Sequence, residues 1–141
     1  MKSEQIENGF FLVFERGEEF MSSLASFCEE HELHWAQFSG VGAVENAEIG
    51  YYDLASRSYV FKKEAGPFEV VSLNGNVAEL DESPLVHAHA ALSRCDESLA
   101  TIGGHLKSAR VALTLEVWLS RVSQPLLRAP DPETGLNLIT L

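Results

Sequence analysis

Three histidines and one glutamate are the residues of this chain whose types and spacing could do chemistry. In Leu85-Val86-His87-Ala88-His89-Ala90, strand alternation puts His87 and His89 on one face and the apolar or small Val86, Ala88 and Ala90 on the other. His105 follows Gly103-Gly104, and an antiparallel return would set it beside that pair. Three imidazoles on adjoining strands are the ligand set of an open zinc site, with the fourth position left to water or another ligand. Glu116 interrupts Val111-Ala112-Leu113-Thr114-Leu115-Glu116-Val117-Trp118-Leu119, a run otherwise free of charge. A carboxylate buried there needs a cationic or hydrogen-bonding partner. A metal or a metal-bound imidazole would supply one. Plainer accounts stay open: a His-x-His pair also arises from packing or surface placement, and Glu116 could face solvent or pair with an arginine such as Arg110. His31 and His34, near a helix end, read as surface histidines.

Other chemistries find no motif. Cys28 and Cys95 form no Cys-x-x-Cys, which excludes a thiolate zinc site or a thioredoxin-type pair and leaves two reduced thiols, as expected of a cytoplasmic protein. There is no Gly-x-Ser-x-Gly nucleophile elbow, and neither cysteine has a neighbouring base in sequence. Gly40-Val41-Gly42 completes no phosphate-loop pattern and reads as a bend or a close backbone approach.

The elements that must position the histidines are mostly strands. Phe10–Phe14 is a strand-like apolar run, and further strands are expected at 47–53, 58–63, 68–79, 85–93, 111–122 and 135–141. Gly66-Pro67, Asp81-Glu82-Ser83-Pro84, Gly103-Gly104 and Asp131–Gly135 read as the turns between them, and Asn74-Gly75 by itself as a tight hairpin turn. Phe20, Leu24, Phe27 and His31, with Met21 and Cys28 on the same stripe, predict one helix. Gly17 is its expected N-cap, Glu18 and Glu19 suit the positive end of its dipole, and Glu29, Glu30 and Glu32 form a solvated face. The fold class is α+β: a single compact domain on a mainly antiparallel sheet of about seven strands, flanked by one longer and one or more short helices.

The 141 residues carry 10 Lys+Arg against 21 Asp+Glu, a net charge of −11. Phosphate affinity rests largely on Lys and Arg displacing counterions, so this balance argues against nucleic-acid binding by the isolated chain. No Arg-Gly-Arg core of the AT-hook kind is present. The longest apolar run, Phe10–Phe14, is far short of the roughly 20 residues of a membrane helix, and the first residues lack the apolar core of a secretion signal.

An ordered series of motifs resembles the PPC domain, the domain conserved in plants and prokaryotes and formerly of unknown function. It runs through Phe38-Ser39-Gly40-Val41-Gly42-Ala43-Val44, Ile49-Gly50-Tyr51-Tyr52-Asp53 and Gly66-Pro67-Phe68-Glu69-Val70-Val71-Ser72-Leu73-Asn74-Gly75. Pro84–Leu92, Gly103-Gly104-His105-Leu106 and Thr114-Leu115-Glu116-Val117 complete it. The resemblance implies one domain over 1–141, with a core of about 9–122 and a C-terminal strand extension over 123–141. It implies assembly as a homotrimer, and it moves Gly75 from a hairpin turn into a longer strand. Pro67 stands where the plant motif Gly-Arg-Phe-Glu-Ile-Leu has arginine, a departure from the hook-bearing plant proteins. The superfamily includes acetolactate decarboxylase, whose zinc is held by a His-x-His pair and a third His. By that likeness His87, His89 and His105 are implied metal ligands, for zinc or a similar divalent ion, with Glu116 a neighbour and candidate catalytic group.

Three readings follow. The favoured one is a stand-alone, homotrimeric PPC-type protein with a three-histidine site for a metal or small-molecule ligand, acting as a binding or regulatory module. The alternative is a zinc metalloenzyme with lyase-like chemistry, Arg94 or Arg110 being candidate carboxylate clamps. The third is a DNA-binding protein by family label.

Overall fold

Alternation along Gly9–Glu15 (β2) sends Phe10, Leu12 and Phe14 into the core and leaves Phe11 and Val13 on the opposite face. A computed structural model describes residues 1–140; Leu141, the last residue of the strand expected at 135–141, lies outside them. β1 (Lys2–Ile6) precedes β2 and pairs with it antiparallel, from Lys2 opposite Val13 to Ile6 opposite Gly9. All of β1 is exposed. An edge strand with no buried face carries no hydrophobic alternation, which is why its sequence does not announce it.

The helix α1 (Phe20–Glu30) buries Phe20, Leu24, Phe27 and Cys28, the expected stripe. Its N-cap is Glu19 rather than Gly17. The Glu19 carboxylate accepts from the N–H groups of Met21 (3.2 Å) and Ser22 (2.7 Å), and Oε1 also takes the N–H of Ala109 (3.0 Å). One side chain thereby satisfies the helix start and ties it to the sheet. Gly17 instead turns the chain, its N–H bonded to the carbonyl of Val111.

Three long strands follow the helix: β3 (Ala36–Asp53), β4 (Ser58–Leu80) and, after β5 (Ser83–Arg94), β6 (Thr101–Arg121). β3 pairs with β4 and β6, and β5 pairs with β4 and β6, so these four close a ring of antiparallel ladders. Register shifts between Gly40 and Gly42 and between Glu45 and Ala47 are bulges that let β3 curve. Gly66-Pro67 and Gly103-Gly104 prove not to be turns. Pro67 sits opposite Glu45 within β4, and Gly103 and Gly104 sit opposite Ala91 and Ala90 within β6. Gly75 lies between Phe38 and Ala88; a Cβ there would stand 2.2 Å from the Phe38 ring and from the His87 carbonyl. The expected turn at 81–84 is made by Asp81 and Glu82, both left-handed (φ 51° and 65°).

β7 (Leu127–Pro130) and β8 (Asn137–Thr140) form a hairpin, joined to β4 where Leu127 lies parallel beside Glu79. Tyr52 fastens its turn by donating to the carbonyl of Thr134 (2.7 Å). The described residues thus hold eight strands in one sheet, mostly antiparallel, and one helix; the further short helices do not form. The fold is α+β and mainly β. No described helix is long and apolar enough to cross a membrane.

Candidate metal centre

The alternation expected of β5 holds: Ala88 and Ala90 enter the core, while His87 and His89 emerge from the other face. β6 then brings His105 directly opposite His89, with Gly50 of β3 on its other side. The two glycines before His105 let the strands approach this closely. At Gly104 (φ +154°) a Cβ would fall 2.4 Å from the Gly50 carbonyl oxygen.

The rings converge. Centroids lie 5.1 Å apart for His87 and His89, 4.9 Å for His87 and His105, and 5.5 Å for His89 and His105. One nitrogen from each ring lies within 4.8 Å of the other two. Tetrahedral coordination at ordinary zinc–nitrogen distances needs nitrogens about 3.3 Å apart, so these nitrogens would have to close by at most about 1.5 Å to share one ion. His87 and His105 are half-buried and His89 is exposed. Burial, and then the neighbouring charges of His105, Arg128 and His89, pushes the His87 pKa down to about 4. Burial first, then His89, also lowers His105. At neutral pH both rings are uncharged and offer lone pairs, the form a metal requires. The donor set fits a divalent ion of the zinc type.

Beside the cluster lies a cavity of about 290 Å³, walled by Tyr59, Leu85, Leu136 and Leu138 with His87, His105 and Arg128. The Tyr59 ring stands 4.7 Å from that of His105.

Glu116 is not a neighbour of this site. It lies eleven positions further along β6 than His105, on the order of 35 Å at the rise of an extended strand. It stands half-buried between Val13 and Val41 on the outer sheet face. Leu115 and Val117 point inward and Glu116 outward, so its charge interrupts an apolar sequence without entering the core. Neither candidate clamp reaches the histidines. Arg94 pairs with the buried Glu64, and Arg110 donates to the carbonyl of Gly17 (3.0 Å). Arg128 carries no local signal in sequence; the return of β7 to β4 alone places it. His34 is half-buried rather than on the surface, with Nδ1 3.2 Å from Glu79 in a separate hollow. His31 is exposed, as expected, and stacks on Phe27 at 3.9 Å.

The Plants and Prokaryotes Conserved (PCC) domain profile matches residues 1–123. Among solved structures, a metal-containing protein from Archaeoglobus fulgidus is 37% identical, with 100% of each chain covered and a TM-score of 0.84. A plant- and prokaryote-conserved (PPC) protein from Pyrococcus horikoshii is 30% identical over 100% of this chain and 98% of its own, with a TM-score of 0.84. A Bacteroides thetaiotaomicron protein with a provisional DNA-binding designation has a TM-score of 0.93 at 23% identity, covering 99% of this chain and 96% of its own. At that identity the likeness concerns the fold alone. No curated protein sequence gives a significant match.

Proposed function

The chain belongs to the Plants and Prokaryotes Conserved (PCC) domain family, and on that premise we propose that it is a metal-binding module, with His87, His89 and His105 holding a divalent ion, zinc foremost. The convergence of three imidazole nitrogens within 4.8 Å carries this reading. The likeness to the metal-containing Archaeoglobus protein supports it. A bound zinc would supply a Lewis-acidic coordination position open to exchange. The chain does the rest. Pairing of His89 with His105 sets their separation, half-burial keeps His87 and His105 unprotonated, and the adjoining cavity admits a small molecule.

The module works as a homotrimer in the cytoplasm. Self-association is supported by an outer sheet face on which Phe11, Val13, Val41 and Trp118 surround the single carboxylate of Glu116, with Val41 49% and Trp118 45% exposed. Cytoplasmic placement is supported by its two free thiols, Cys28 and Cys95. A trimer would carry 3 × (−11) = −33, which opposes unaided phosphate binding and weakens a DNA-binding role. A second reading, a zinc metalloenzyme, is favoured by the cavity beside His87 and His105; Glu116 of the same chain lies away from that cavity.

Metal analysis of protein prepared without a histidine tag tests the proposal. About one equivalent of a divalent ion per chain is expected, lost in a His87→Ala/His89→Ala double variant. Less than about a tenth of an equivalent after metal supplementation would contradict it.

A further inference from the structure

The cavity beside the histidines contains a cation that no Asp or Glu among the described residues answers. Arg128 Nη1 donates to the carbonyl of Asn137 and Nη2 to Oδ1 of Asn76, each at 2.9 Å, and both acceptors are neutral. Its Nε is buried without a hydrogen-bond partner. Among the described residues no Asp or Glu lies within ion-pair distance of it, although acidic residues outnumber basic ones two to one. Asn76, which orients the guanidinium, is also the cross-strand partner of His87. The cation is thus anchored one strand away from a candidate metal ligand.

A divalent ion on three neutral imidazoles would add two positive charges to a cavity that already holds one and is lined by no Asp or Glu. Uncompensated charge out of bulk water is costly, so a site of this kind takes its anion from solution. The walls say which kind of anion. Leu85, Leu136, Leu138 and the Tyr59 ring give apolar surface that a bare inorganic ion cannot use, and about 290 Å³ stands at the small end of ligand pockets, with room for a small organic acid.

We infer that Arg128 is the anion-recognition residue of the histidine cavity, and that the ligand taken there is a small aliphatic carboxylate whose charge Arg128 pairs and whose carbon chain rests on the leucines. The inference deepens the metal-site reading and depends on it.

Cobalt(II)-loaded protein provides the test, because its visible absorption reports the coordination shell without any turnover. Isobutyrate and inorganic phosphate are titrated into the wild type, Arg128→Gln and Arg128→Lys. Isobutyrate should bind the wild type saturably and more tightly than phosphate. Arg128→Gln should weaken it by about ten-fold or more while cobalt stoichiometry stays the same. Arg128→Lys, which keeps the charge and loses the planar fork, should recover part of that loss. Circular dichroism checks that each variant keeps the fold; if Arg128→Gln does not, a several-fold weakening in Arg128→Lys carries the test. Equal isobutyrate affinity in the folded variants and the wild type would overturn the role of Arg128. Tighter binding of phosphate would overturn the carboxylate class. Cobalt uptake without any isobutyrate response would sink the inference and spare the metal site, whereas failure of the wild type to take up cobalt would sink both.

Discussion

Replacing His105 by alanine should remove most of the stability that metal confers, and the size of the loss can be worked out in advance. His105 comes from β6, whereas His87 and His89 share β5, so the substitution leaves two donors on a single strand. Structural zinc sites of about four ligands are worth roughly 10–16 kcal/mol, or about 3 kcal/mol per donor. Losing one donor therefore weakens binding by about 150-fold. For 141 residues the unfolding entropy is about 0.3 kcal/mol/K. Metal at 1,000 times its Kd stabilises the wild type by about 4 kcal/mol, which raises Tm by about 14 °C. At the same metal concentration the variant gains about 1.2 kcal/mol, or about 4 °C. The quantity to compare is the increment between chelated and metal-loaded protein in thermal unfolding. The absolute Tm also moves, because the variant loses the His105–Tyr59 ring contact. An increment in His105→Ala equal to that of the wild type would refute the three-histidine site.

Three further outcomes follow from the same structure. Gly75→Ala should destabilise the protein by about 3 kcal/mol, because its Cβ meets the Phe38 ring and the His87 carbonyl at 2.2 Å; denaturant unfolding at matched slope measures this, and a change under about 0.5 kcal/mol would contradict the packing. The metal-free protein should lose stability as pH falls from 6.5 toward 4, since a folded-state pKa of about 4 makes the contribution of His87 complete above its unfolded value near 6.5. The limiting effect is about 3 kcal/mol, reduced to about 1–2 by solvent access; urea midpoints of the wild type and His87→Gln across that range should diverge on acidification, and parallel curves would contradict the shift. Trp118→Asp should dissociate the assembly through the outer sheet face, read by sedimentation equilibrium; a wild type that sediments as a monomer, or a variant with unchanged mass, would contradict the assignment of that face.

The histidine face and α1 were legible in the sequence because each rests on a local period. Alternation alone separates His87 and His89 from Ala88 and Ala90, and the stripe of Phe20, Leu24, Phe27 and Cys28 alone marks the helix. Glu116 could have been placed by the same rule, since Leu115 and Val117 point inward; alternation favours the outward-facing alternative that its residue-level reading left open, whereas the place beside the histidines came from the family likeness. Gly66-Pro67 and Gly103-Gly104 resemble breaks because glycine and proline punctuate short strands. In a closed ring of long, curved strands the same residues permit a bulge or a close approach. Arg128 belongs to the cavity through a single parallel pairing, Leu127 with Glu79, across 48 positions, and no pattern within its own segment encodes that return. The pairing of His89 with His105 sits between these cases, its direction inferable from an antiparallel return and its register set by the ladder.

Whether these three histidines share one ion is visible in anomalous diffraction from crystals grown with zinc. A single strong peak at the zinc edge is expected, within about 2.1 Å of one nitrogen from each of His87, His89 and His105. A peak elsewhere, or none at this cluster with zinc in the crystal, would contradict a shared site.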